Sequence, residues 1–134
     1  MKTVLFACVH NAGRSQMAAA FFNHLADPTR ASAVSAGTDP GVRVHPEVVT
    51  AMREIGIDLA DAVPRRLTDE LASTASILVT MGCGEACPAV PGLRRIDWPL
   101  EDPKGKPVDR VREIREEIRA RVRTLLKGEH WDKG

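Results

Sequence analysis

Tyrosine is absent from this chain, and only three Phe and two Trp stand among its 134 residues. Platforms for single-stranded nucleic acid are built by stacking bases on such rings, so no surface of that kind is expected. Neither sign of charge dominates, since 19 Lys and Arg oppose 18 Asp and Glu for a net charge of +1. That balance leaves no global field to draw nucleic acid or an anionic membrane, and any anion site has to be local. Long apolar runs are missing too. The stretch Met1 to Val9 is far too short to span a bilayer and lacks the cleavage pattern of an exported leader. Cysteine is scarce and odd in number, with Cys8, Cys83 and Cys87 alone. Such usage suits reactive thiols in a reducing cytoplasm better than a secreted disulfide framework. Repeats, low-complexity tracts and a linker are lacking, so residues 1–134 are expected to form one domain, burying roughly two thirds of the surface its unfolded chain exposes.

What is present alternates. Thr3 to Cys8 is a continuous apolar run with β-branched members, as in a parallel strand covered on both faces. Ser15 to Leu25 is rich in helix formers and is stopped by Asp27-Pro28. Ala31 to Ala36 reads as a second strand ending at Gly37, and His45-Pro46 opens a helix that Gly56 closes. Thr68 caps a short helix through Leu71, Ser76 to Met81 is another buried strand, and a short strand follows around Arg95 to Trp98. Between the last two, residues 82–92 have the Gly and Pro content of a loop. From Pro107 onward, Val108, Val111, Ile114, Ile118, Val122 and Leu125 recur at helical spacing, one face packing on the sheet. Right-handed crossovers then give a small doubly wound α/β domain, with a central parallel four-stranded sheet flanked by helices. Ligands in such sheets bind outside the carboxyl ends of the strands, where both Cys8 and Cys83 fall.

The segment Cys8-Val9-His10-Asn11-Ala12-Gly13-Arg14-Ser15 joins a strand to a helix start. Unpaired backbone N–H groups and the helix dipole favour an anion there. Ala12 and Gly13 are small enough to let the backbone close around it. A thiol beside a guanidinium and a helix start is held as thiolate at neutral pH, which makes Cys8 a standing nucleophile. Arg14 supplies a planar fork for two oxygens of a tetrahedral oxyanion, and Ser15 can donate its hydroxyl to the thiolate. Asn11 suits a left-handed turn and bonding to loop carbonyls, so it shapes the loop. His10 belongs to the same loop without a catalytic role.

Three carboxylates, Asp97, Glu101 and Asp102, could protonate an oxygen leaving an oxyanion centre, and the residues alone leave that choice open. Cys83 and Cys87 do not suggest a zinc site, because no second Cys or His pair lies near them. No bound metal or cofactor is expected. The arginines and glutamates interleaved from Arg110 to Arg123 read as a solvated helix face, and Met17, Phe21 and Phe22 as core.

Taken in order, Cys8 to Ser15, Ser35-Ala36-Gly37-Thr38 and Asp102-Pro103 resemble the phosphate loop, second-strand motif and acid-bearing loop of the low-molecular-weight protein tyrosine phosphatases. The resemblance covers essentially the whole chain. It implies Cys8 as nucleophile, Arg14 as transition-state clamp, Ser15 as thiolate stabiliser and Asp102 as proton donor. Met81 to Pro88 further resembles the redox segment of the family's thioredoxin-coupled arsenate reductases. That likeness implies Cys83 as the resolving thiol and Cys87 as the acceptor of the disulfide. Two departures stand out. Some members carry Glu at the position of Ala19 as part of a potassium site. The gap between Cys83 and Cys87 is closer to that of actinobacterial relatives, some of which use mycothiol and a glutaredoxin-like partner.

The expected function is therefore reduction of arsenate to arsenite, with thioredoxin, or mycothiol with a mycoredoxin, as external reductant. Phosphate is the expected competing oxyanion, and some phosphatase activity is expected beside the reductase. The alternatives are a tyrosine phosphatase, for which Trp98 would have to wall the phenyl ring, and an oxyanion-binding redox sensor without turnover.

Overall fold

The computed structural model describes residues 1–82 and 92–133. Its elements run β1 (Lys2–Cys8), α1 (Arg14–Leu25), β2 (Ala31–Gly37), α2 (Pro46–Arg53), α3 (Asp69–Ser73), β3 (Ile77–Thr80), β4 (Arg94–Asp97) and α4 (Val108–Glu129). The four strands form a parallel sheet in the order β2-β1-β3-β4. Chain order therefore reverses at β1, whose carboxyl end is the place where open α/β sheets bind ligands. Cys8 is the last residue of that strand.

Alternation along the central strands divides the core in two. Val4, Phe6 and Cys8 join Ile77, Val79 and Met81 on one face, in a cluster with the buried sides of α1, α2 and α4. Leu5, Ala7 and Leu78 face the opposite way, toward Ala36, Ala72 and Leu71. The expected doubly wound arrangement is what forms. Val111, Ile114, Ile118 and Val122 of α4 are fully buried, and the helix packs against α1 and α2. Phe22 stands edge-on to Phe6 with centroids 6.0 Å apart, and the Trp98 ring lies 5.7 Å from that of Phe6. At the sheet edge, β4 exposes Arg94, Arg95 and Asp97, charges of the kind that blunt an edge strand.

Boundaries differ slightly from the sequence expectation. α3 continues past Leu71 to Ser73, because the Ser73 and Thr74 hydroxyls donate to the Glu70 and Leu71 carbonyls at its end (2.7 Å each). The Thr68 hydroxyl accepts from the Leu71 N–H at 3.1 Å, as the cap predicts.

Candidate active site

The loop after β1 is shaped by what its carbonyls do. Backbone N–H groups of Thr38, Asp39, Gly41 and His45 donate to the carbonyls of Cys8, Val9, His10 and Ala12 at 2.8–3.2 Å, and Met17 N–H donates to that of Gly13 at 3.0 Å. The Asn11 carbonyl accepts from Nε2 of Gln16 at 3.1 Å. Every carbonyl from Cys8 to Gly13 is thus bonded to a group outside the loop. In a trans peptide the C=O and the following N–H point in opposite directions, and no peptide here is cis. The N–H groups of Val9 to Arg14 therefore turn into the hollow of the loop. A hollow lined by N–H groups at a helix N-terminus is suited to an oxyanion. Val9 to Arg14, the positions expected to bind an oxyanion, are the residues that carry these N–H groups.

The segment 38–45 that holds the loop comes in close because residue 37 is glycine. A Cβ there would lie 2.5 Å from the Val9 carbonyl oxygen and 2.9 Å from the Asn11 nitrogen. The Ser35-to-Thr38 motif acquires a physical reason from that contact.

A chain of hydrogen bonds with a fixed direction reaches the Cys8 sulfur. The backbone N–H of Arg65 donates to Oδ1 of Asn11 at 3.0 Å. A backbone N–H can only donate, so the Asn11 amide is oriented and its Nδ2 donates to Oγ of Ser15 at 2.7 Å. Ser15 is fully buried, and its remaining recorded partner among the described residues is Sγ of Cys8 at 2.9 Å. With Ser15 Oγ already accepting from Asn11, its hydroxyl proton has the Cys8 sulfur as its recorded acceptor. Asn11 has φ 50°, the left-handed turn expected of it. Its side chain, however, bonds Ser15 and the Arg65 N–H rather than loop carbonyls, because Arg65 pairs onto the end of β2 directly behind the loop.

Arg14 is 6% exposed at the start of α1. Its Nη1 donates to the Leu100 carbonyl at 3.2 Å, and its Nη2 lies 3.7 Å from Oδ2 of Asp102. Geometry separates the three candidate acids. Asp97 accepts from Thr80 Oγ1 and from Arg95 Nε, and those bonds hold its carboxyl below the usual range. Glu101 is gripped by both Nε and Nη2 of Arg110, chiefly by those hydrogen bonds, and is likewise lowered. Asp102 is the carboxylate beside Arg14. Near it, burial pushes the His45 imidazole below its ordinary value, against the opposing charges of Glu47 and Asp102. His10 turns away from the hollow, with Nδ1 bonded to the Asp39 carbonyl at 3.0 Å.

Cys8, Arg14, Ser15 and Asp102 are therefore brought together, while Cys83 and Cys87 lie outside the described residues. The last described residue before them, Gly82, has φ 100° and sits against the Arg14 guanidinium, where a Cβ would overlap Nη1. Sequence reasoning passed over Gln16 and Arg65, whose contacts with Asn11 come from the helix face and from a segment 54 residues away. Trp98 is 7% exposed, packs its ring 5.7 Å from that of Phe6, and lines a shallow cleft with Thr80, Gly82 and Pro99. The geometry can bind a tetrahedral oxyanion, attack its centre with sulfur and offer a proton to the oxygen that leaves.

Comparison with known proteins places these features among relatives. Residues 3–133 match the family model described as low molecular weight phosphotyrosine protein phosphatase. A relative from Halobacterium salinarum is 42% identical over 126 residues, 90% of this chain and 88% of its own. The glutaredoxin arsenate reductase of Synechocystis is 33% identical over 129 residues, covering 94% of this chain and 97% of its own. Among solved structures, the Corynebacterium glutamicum thioredoxin-dependent arsenate reductase superposes with a TM-score of 0.83 at 42% identity. That match covers 96% of this chain but spans only 61% of the longer protein.

Proposed function

The chain belongs to the low molecular weight phosphotyrosine protein phosphatase family, in its arsenate reductase branch, and from that premise we propose that it reduces arsenate to arsenite through Cys8. The observation that carries this reading is the directed chain from the Arg65 N–H through Asn11 and Ser15 to the Cys8 sulfur, at the edge of a hollow lined by backbone N–H groups. It prepares a nucleophile where an oxyanion would sit.

The reaction then runs in balanced steps. The Cys8 thiolate attacks As(V), a sulfur–arsenic bond forms, and an oxygen departs as water with a proton supplied by Asp102. The N–H nest and the Arg14 fork stabilise the charge gathered on the remaining oxygens. Cys83 thiolate attacks the Cys8 sulfur, and the sulfur–arsenic bond breaks with both electrons passing to arsenic, which leaves as arsenite. Cys87 attacks Cys83 in turn, freeing Cys8 and leaving a Cys83–Cys87 disulfide for an external dithiol. The contact between Gly82 and Arg14 supports this order, because the chain meets the oxyanion clamp one residue before Cys83. Thioredoxin fits as the dithiol, since a relative at 42% identity is a thioredoxin-dependent enzyme. A glutaredoxin-type route, with or without mycothiol, is the competing supply, and a reducing cytoplasm suits either. Among the described residues no helix is long and apolar enough to cross a membrane.

The deciding assay is arsenite formation from arsenate with thioredoxin, thioredoxin reductase and NADPH. Arsenite released over many turnovers is the expected result. Phosphate and arsenate binding without arsenite, under thioredoxin and glutaredoxin supply alike, would reduce the reading to an oxyanion sensor. Hydrolysis of aryl phosphates without reduction would make the protein a phosphatase.

A further inference from the structure

Five of the six carbonyls that shape the loop, those of Cys8, Val9, His10, Ala12 and Gly13, are held by main-chain N–H groups, which no substitution of those donors other than proline removes. The sixth, on Asn11, is held by a side chain. Nε2 of Gln16 donates to the Asn11 carbonyl at 3.1 Å and also lies 3.2 Å from Asn11 Oδ1. One amide group thus spans the backbone and the side chain of a single residue. That residue is in the left-handed region, at φ 50°, and has no exposed surface. Gln16 is itself buried in the first turns of α1.

We propose that Gln16 is a positioning residue that sets both the anion affinity of the loop and the reactivity of Cys8 through its two hydrogen bonds to Asn11. The two effects have separate routes. Holding the Asn11 carbonyl outward keeps the Ala12 N–H, on the other side of the same peptide, turned into the hollow. Holding Oδ1, together with the Arg65 N–H, keeps Asn11 Nδ2 on Ser15 Oγ, so that the Ser15 proton stays on the Cys8 sulfur. Without the Gln16 amide, one donor to Oδ1 remains and the Asn11 carbonyl has no recorded partner among the described residues. Asn11 then loses the side-chain restraint on its left-handed conformation, which is a minority state for any residue but glycine.

The inference rests on Cys8 being the nucleophile of the proposed function, and the experiment separates the two. Full-length wild type, Gln16→Met and Gln16→Glu are treated with iodoacetamide across pH, and alkylation of the Cys8 peptide is followed by mass spectrometry. Inorganic phosphate binding is measured by its protection of Cys8. Met keeps the length and buried packing but has no proton to donate, and Glu keeps the shape while turning an acceptor toward two oxygens. Gln16→Met is expected to slow Cys8 alkylation at pH 6 about fivefold, move the profile to higher pH and weaken phosphate protection by a similar factor, the worth of a buried hydrogen bond. Gln16→Glu is expected to do more of both. A merely structural role would lower the melting temperature and leave the alkylation profile of the folded protein in place. Either variant folded at 25 °C with wild-type profile and wild-type protection overturns the proposal, and should Gln16→Met fail to fold, Gln16→Glu decides. A wild-type Cys8 no more reactive below pH 8 than a free thiol would instead overturn the nucleophile itself.

Discussion

The guanidinium of Arg14 lies against the backbone of Gly82, with no room between them for a methyl group. The backbone at Gly82 also has φ 100°, where an L side chain is strained. Gly82→Ala should therefore displace Arg14 from its place between the Leu100 carbonyl and Asp102. A charged hydrogen bond to a bound oxyanion is worth about 1.5–3 kcal/mol, so KM for arsenate is expected to rise roughly ten- to hundredfold. Cys8 alkylation without oxyanion should change far less. Steady-state kinetics on the folded variant would show the rise, and an unchanged KM would deny the contact its role.

The three neighbouring carboxylates should respond very differently to neutralisation. Asp97 and Glu101 are engaged by Thr80, Arg95 and Arg110 and held in their charged form. A carboxylate held that way makes a poor proton donor. Asp102→Asn is expected to slow release of a poor leaving group by about a hundred- to ten-thousandfold, whereas Asp97→Asn and Glu101→Gln should stay within a few fold. Comparing p-nitrophenyl phosphate with an alkyl phosphate provides the check, since only the second needs a proton urgently. Equal loss in all three variants would remove Asp102 from the acid's role.

Acid stability has a definite sign at Glu54. Hydrogen bonds from Arg112, and then from Arg115, hold its carboxyl at about 2 against an ordinary 4.5. A carboxyl lowered on folding stabilises the folded state above its unfolded value, and that contribution fades as pH falls from about 4.5 toward 2. Wild type should therefore melt above Glu54→Gln at pH 7, with the gap narrowing as pH falls from about 5 toward 2. Thermal melts across that range test it, and a constant gap would mean that the pairs to α4 add nothing pH-dependent.

Legibility in the sequence followed the distance along the chain over which each relationship acts. The strand-loop-helix run from Thr3 to Leu25 was readable because hydrophobic run, small loop residues and helix formers are contiguous, and it carries Cys8, Arg14 and Ser15 together. The left-handed Asn11 was readable for the same local reason. The grip of residues 38–45 on the loop was not, since it depends on β2 lying beside β1 in register, Cys8 opposite Gly37. Nor was the pairing of Arg65 with Asn11, 54 residues apart. Asp97, Glu101 and Asp102 look equivalent in sequence, yet a few residues of turning chain give each a different arginine. The packing of the Trp98 ring on Phe6, 92 residues away in sequence, was equally hidden.

The cysteines allow the proposed electron path to be taken apart one thiol at a time. Cys8→Ser should abolish arsenate reduction and phosphate ester hydrolysis together, because a serine hydroxyl is not ionised at neutral pH and both reactions begin with the same attack. Cys83→Ala should still form the sulfur–arsenic adduct but fail to turn over with thioredoxin, since no thiol remains to take the Cys8 sulfur and push electrons onto arsenic. Hydrolysis of a small aryl phosphate should survive in that variant, because water rather than a thiol resolves the phosphoryl-cysteine. Cys87→Ala should release one arsenite per molecule and stop as a Cys8–Cys83 disulfide, seen as the loss of two free thiols by mass spectrometry. Sustained thioredoxin-dependent turnover by both loop variants would leave Cys83 and Cys87 idle. Reduction would then have to proceed by an external thiol attacking the Cys8 adduct directly, the mycothiol-type route.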